Sequence, residues 1–167
     1  IEKLVTDRTR LVVLNSPCNP TGHVISPECN ARLFDLAERR GLLLVSDECY
    51  ADFIYEGRHE SIAAIPDARN RVFVVSSLSK PLSMTGWRIG YAAGPAPLIR
   101  AMVKIQSQST SNPTSIAQVA AETALDGDQA FIAEMVRAFK TRHDYVLGAL
   151  NGIRGVRCLP AQGAFYL

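Results

Sequence analysis

Three short apolar runs, Leu11 to Leu14, Leu42 to Val45 and Val72 to Val75, are separated by longer segments with apolar residues at helical spacing. A run of consecutive Leu, Val or Phe has no polar side to show to water, so as a strand it belongs in a buried, parallel-type sheet. Strand, helix, strand order built on such runs predicts an α/β domain with a mainly parallel sheet. The punctuation agrees. Asn15-Ser-Pro17 closes the first run. Ser26 is placed to cap a helix with Pro27 at its first position, Leu33, Phe34 and Ala37 supply the apolar face, and Gly41 stops it.

Ile89 to Ala93 reads as a fourth strand, and three helices are predicted after it. One runs from Pro97 to about Gln108, and Asn112-Pro113 caps a second that reaches Gly127. Asp128 opens a long third, to about Leu150, with Phe131, Ile132, Met135, Phe139 and Val146 at helical spacing. Gly152 to Gly155 breaks the pattern, and Val156 to Leu167 begins a new element.

Composition removes several classes of function. The 167 residues are 47% hydrophobic and 20% charged, with a formal net charge of +2 and both signs interspersed. That is ordinary globular composition for one domain, without the basic stripe of a nucleic-acid binder or a polybasic membrane patch. No apolar run approaches the length of a membrane span. Cys18, Cys29, Cys49 and Cys158 show neither C-x-x-C pairing nor metal-ligand spacing with the three histidines. They read as reduced thiols of a cytoplasmic protein rather than as metal ligands or a disulfide framework.

In open α/β sheets, ligands sit at the carboxyl ends of the strands. Behind the first run come Asn15 and Asn19, behind the second Asp47, Glu48 and Tyr50, and behind the third Ser76, Ser77, Ser79 and Lys80. If the strands are parallel, an amide, an acid, a phenol and a lysine reach one edge. Singly, each has an ordinary reading. Asn-Pro-Thr-Gly is a good turn, Asp47 a cap or surface ion-pair partner, Lys80 a solvated cation, Cys49 a small buried thiol, and Trp87 and Arg88 core and surface. Lys80-Pro81 lacks the G-x-x-x-x-G-K-[ST] frame, which excludes a P-loop.

Taken together, three stretches resemble the class I/II aminotransferases, fold-type I enzymes that depend on pyridoxal phosphate (PLP). They are Asn15-Ser-Pro-Cys-Asn-Pro-Thr-Gly22, Ser46-Asp-Glu-Cys-Tyr50 and Ser77-Leu-Ser-Lys-Pro-Leu-Ser-Met-Thr-Gly-Trp-Arg-Ile-Gly-Tyr91. The likeness continues through Gln108 to Gln118, ends on Gln162-Gly-Ala-Phe-Tyr166, and looks most like the bacterial aspartate aminotransferase branch. It implies a three-layer α/β/α large domain over residues 1–151, including a long interdomain helix, and the start of a small domain over 152–167. It also implies that Lys80 holds PLP as a Schiff base and, once displaced by substrate, moves the proton between the substrate α-carbon and the cofactor. A free lysine, with a pKa of about 10.4, is protonated at neutral pH, so the chemistry needs that linkage to make the amine useful.

By the same resemblance Asp47 keeps the pyridine nitrogen protonated, Tyr50 and Asn19 hold the phenolic oxygen, and Arg88 and Ser77 bind the phosphate. The implied activity is transfer of an amino group between an amino acid, aspartate favoured, and a 2-oxo acid such as 2-oxoglutarate. The implied assembly is a cytoplasmic homodimer without nucleic-acid or membrane partners. A PLP-dependent C–S β-lyase and the non-catalytic aminotransferase-like domain of a transcription regulator use the same cradle and remain open as alternatives. The chain begins at Ile1 and shows neither the family's glycine-rich phosphate loop nor its ring-stacking aromatic residue nor its substrate-carboxylate arginine. It is therefore expected to be part of a longer sequence, and to bind PLP poorly by itself.

Overall fold

The computed structural model describes residues 1–167. Four strands form one sheet in chain order: β1 (Leu11–Asn15), β2 (Leu43–Asp47), β3 (Val72–Ser77) and β4 (Gly90–Ala93). β1–β2 and β2–β3 are parallel, with Asn15 beside Asp47 and Asp47 beside Val75, whereas β4 returns antiparallel along β3. The carboxyl ends of β1, β2 and β3 therefore lie along one edge. The architecture is α/β with a mainly parallel sheet, as the alternation implied.

Helix α1 (Pro27–Arg40) makes the first crossover and keeps its predicted bounds. The Ser26 hydroxyl accepts from the Cys29 N–H, Pro27 occupies the first turn, and Gly41 closes the helix at φ 63°, donating to the Ala37 and Glu38 carbonyls. Its apolar stripe, Leu33, Phe34 and Ala37, packs with Leu14, Leu42, Leu44 and Val72. The β2–β3 crossover is not an α-helix. Two short 3₁₀ turns, Ile62–Ala64 and Ala68–Asn70, place Ile62 and Ala68 in the same core. Each fully buried large side chain in this layer stabilises it by about 1.5–3 kcal/mol. Within residues 1–167, Leu11 and Val13 are the exposed side chains of β1, and Leu14 is buried.

Helices α2 (Ala96–Ser107), α3 (Ser115–Asp126) and α4 (Ala130–Asn151) follow the sheet. Two starts differ from expectation. Thr114, not Asn112-Pro113, caps α3 by accepting from the Ala117 N–H, while the Asn112 amide is turned onto the Pro113 carbonyl. Asp128 sits before α4 and accepts from the Ala130 N–H, so the helix opens two residues later. α3 packs Ala121 on Leu78 and Met84, and α4 packs Met135, Val136 and Phe139 around Phe53. Past the break at Gly152 the chain forms no strand. Its single β contact is a bridge between Gly163 and Ile54, which folds residues 161–166 back over the end of β2. No helix is long and apolar enough to cross a membrane.

Candidate active site

Three strand ends build the site. Beyond β1, the Asn15 side chain accepts from the Asn19 N–H at 2.7 Å, and the Ser16 N–H donates to the Asp47 carbonyl at 3.1 Å, fixing the Asn19 loop to β2. At the end of β2 and in the turn after it burial alternates: Asp47 is half-buried, Glu48 buried, Cys49 half-buried and Tyr50 buried. Asp47 Oδ1 accepts from the Cys49 N–H at 3.1 Å, which holds the carboxylate at the strand terminus. Beyond β3, the Ser77 hydroxyl accepts from the Ser79 N–H at 3.1 Å. Lys80 follows in a turn whose flanks, Leu78 and Met84, are rooted in the core, so its backbone is held while its amine stays half-exposed. Arg88 adopts the left-handed conformation, φ 53° and ψ 48°, with its guanidinium on the Thr85 carbonyl at 2.9 Å. That conformation costs a non-glycine residue about 1 kcal/mol and is found where placement of a side chain matters.

These residues open onto one cleft of about 550 Å³. Asn19, Asp47, Tyr50, Ser77, Lys80 and Arg88 all line it, so the six residues that the resemblance assigns to the cofactor arrive at the same place, whereas Glu48 and Ser76, from the same strand ends, do not. Asn15, Cys49, Ser79, Thr85 and Tyr166 complete the wall. Asn15 and Ser79 could be read from their strand ends, and Thr85 lies inside the Lys80–Arg88 stretch. Tyr166 could not. Its hydroxyl meets that of Tyr50 at 2.5 Å across 116 residues of sequence, a contact with no local signal.

The electrostatics sort the groups by task. Burial, with the neighbouring Asp47 carboxylate, pushes the Cys49 thiol up to about 12, Lys80 offsetting only part of this; Cys49 is therefore a neutral wall and no nucleophile. Burial and the hydrogen bond with Tyr166 raise the Tyr50 phenol, which stays protonated. Glu48 points away from the cleft. It accepts from Ser46 at 2.9 Å and Ser61 at 2.6 Å, and its second oxygen lies 3.2 Å from His59 Nε2, close enough for attraction but poorly aligned for a hydrogen bond. Burial acts to raise its carboxyl, but His59 and the two hydroxyls outweigh it, and the net shift is downward.

The donor set suits one kind of small molecule. A planar guanidinium and a hydroxyl match a phosphate dianion, a fixed carboxylate matches a cationic aromatic nitrogen, and an amide with a phenol matches a phenolate oxygen. Lys80 adds an amine in the same cleft.

The pattern of the family described as "Aminotransferase class I and II" matches residues 1–167. The aspartate/prephenate aminotransferase of Nitrosomonas europaea is 47% identical, over 99% of this chain and 43% of the relative. The aspartate aminotransferase of Geobacillus stearothermophilus is 44% identical, over 100% of this chain and 43% of the relative. Among solved structures, the aspartate aminotransferase of Rhizobium meliloti superposes with a TM-score of 0.94 at 43% identity, covering 98% of this chain and 42% of that one. The chain thus spans 43% of the length of these two curated relatives.

Proposed function

The chain belongs to the class I and II aminotransferase family, and from that premise we propose that the complete protein moves an amino group between an amino acid and a 2-oxo acid, with PLP as cofactor. The observation that carries this reading is the single cleft in which three strand ends gather Lys80, Asp47, Tyr50, Asn19 and Ser77, joined by Arg88 from the turn before β4. When bound, PLP supplies an electron sink for the substrate α-carbon. The chain's own residues do the rest. Asp47 holds a proton on the ring nitrogen by charge. Asn19 and Tyr50 orient the phenolic oxygen, and Arg88 with Ser77 neutralises the phosphate. Lys80 Nζ, held in the same cleft, would take the proton from the substrate α-carbon and deliver it to the cofactor, gaining from proximity as well as basicity.

Aspartate as donor and 2-oxoglutarate as acceptor are the substrates we favour. Support comes from relatives named as aspartate aminotransferases, and the Nitrosomonas name puts prephenate on the acceptor panel as well. The reading extends to a cytoplasmic homodimer with no nucleic-acid or membrane partner. It divides the protein at Gly152, where α4 ends, into a large domain containing residues 1–151 and a smaller one opened by 152–167. The test is Lys80→Ala in the complete protein. The PLP absorbance band of the wild type should be altered, and turnover of aspartate with 2-oxoglutarate should fall by at least roughly 10²–10⁴-fold. Normal turnover in this variant would refute the assignment of Lys80.

A further inference from the structure

Ala164 is fully buried and sits in the left-handed region at φ 58°. This costs an alanine about 1 kcal/mol or more, and persists only where neighbouring contacts over-determine it. The contacts are specific. The Ala164 N–H donates to the Phe53 carbonyl at 2.8 Å, and the Gln162 and Gly163 N–H groups both donate to the Gly22 carbonyl, at 2.9 and 3.0 Å. One residue earlier, the Ala161 N–H donates to His143 Nε2 on α4 at 3.0 Å. The loops after β1 and β2 and helix α4 thus clamp one short segment. Its reversed backbone delivers Tyr166 to the cleft and sets the preceding ring, Phe165, against Lys80. Phe165 lies 5.7 Å from Lys80 Nζ, and the Tyr166 hydroxyl is 2.5 Å from that of Tyr50.

We propose that Tyr166 is a positioning residue of the cofactor cleft: its hydroxyl donates to Tyr50 Oη and so frees the Tyr50 proton for an oxygen of the bound ligand. The proposal rests on the PLP reading above and names a residue that reading does not use. A phenol has one proton to give and lone pairs to receive. Tyr50 has no side-chain partner but Tyr166, and at 2.5 Å only one proton lies between the two oxygens. With the cleft empty either can donate. A phenolate oxygen entering the cleft is the stronger acceptor, so Tyr50 turns its proton to it and Tyr166 becomes the donor behind. Donation into the Tyr50 oxygen polarises its O–H and strengthens the outward bond, by an order of 10–30% in such chains. The pair is held in place, because Tyr50 is buried and packs edge-on against Phe53, Phe165 and Tyr166.

The consequence is spectroscopic. A phenolic oxygen held less firmly by Tyr50 keeps the proton it shares with the neighbouring nitrogen more tightly, so the pH midpoint of the bound cofactor's absorbance moves up. The experiment uses the complete protein loaded with PLP, as wild type, Tyr166→Phe, Tyr50→Phe and the double variant. Tyr166→Phe should raise the midpoint by about half a unit, roughly threefold in proton affinity. Tyr50→Phe should raise it further, and the double variant should match Tyr50→Phe, because Tyr166 acts only through Tyr50. A merely structural tyrosine would lower the urea midpoint and leave the pH midpoint alone. An unmoved midpoint in Tyr166→Phe, or an additional shift on the Tyr50→Phe background, overturns the proposal. If the wild type shows no PLP band, the cofactor reading fails separately. The pair is then read in the cofactor-free protein from ζ-¹³C-labelled tyrosine: Tyr166→Phe must displace the Tyr50 resonance and its titration, and an undisturbed Tyr50 overturns the pairing.

Discussion

Gly22→Ala is the substitution whose cost the structure defines best. Gly22 sits at φ 65°, where an alanine costs about 1–2 kcal/mol. Its added Cβ would also lie 2.3 Å from Ala161 Cβ and 2.9 Å from the Gly163 carbonyl oxygen. Carbon atoms in contact stand about 3.5–4.0 Å apart, so the 161–163 segment must retreat by more than an ångström. That retreat opens the hydrogen bonds from Gln162 and Gly163 to the Gly22 carbonyl, at about 1 kcal/mol each. The sum is about 3–4 kcal/mol. Gly41→Ala is the internal control: φ is 63° and nothing lies within 4 Å of the added Cβ, so only the backbone cost of about 1–2 kcal/mol applies. Urea denaturation of the complete protein measures both, and amide exchange localises the damage. In Gly22→Ala the Gln162 and Gly163 amides should exchange roughly thirtyfold faster, the equivalent of about 2 kcal/mol. If Gly22→Ala cost no more than Gly41→Ala, the claim that this segment is pinned against the Asn19 loop would be wrong.

Two further outcomes test the electrostatics. Glu48 is buried and its carboxyl is held below its ordinary value of 4.5 by His59, Ser61 and Ser46 against the cost of burial. Its contribution is therefore present above about pH 4.5 and lost as the pH falls through the lowered folded value. Glu48→Gln should cost about 2 kcal/mol at neutral pH, with the gap in urea midpoint from wild type closing in acid; a gap that stays constant with pH contradicts the pairing. The Cys49 thiol, pushed up to about 12, carries only about 10⁻⁴ of thiolate at pH 8. Iodoacetamide followed by peptide mass analysis should label exposed Cys29 at least about tenfold faster than Cys49, and equal rates would remove Cys49 from its protected place.

Much of this was legible because it is local. The cap at Ser26, the stop at Gly41 and the apolar stripe between them determine α1 by hydrogen bonding and burial within 16 residues, counting both caps. The helix starts near 112 and 128 were harder for an equally local reason. Several short polar side chains compete there; Thr114 takes the Ala117 N–H, and the Asn112 amide is spent on the Pro113 carbonyl. The direction of β4 was not legible either, since a strand's partner and polarity depend on pairing with distant chain.

By itself the sequence determined which chemical groups stand at the ends of β1, β2 and β3, because each follows its own strand directly. Asn19, Asp47, Tyr50, Ser77 and Lys80 needed only parallel strands to meet in one cleft, whereas Arg88 joins them from the turn that leads into antiparallel β4. The tertiary structure alone decided the rest of the wall. Glu48, the first residue past β2, turns into a buried network beside an aspartate that lines the cleft. Tyr166 reaches Tyr50 only because Gly22, Phe53 and His143 clamp the segment that carries it. Contacts between residues far apart in the chain are bought with loop-closure entropy and held by the whole fold, so no window of sequence contains them.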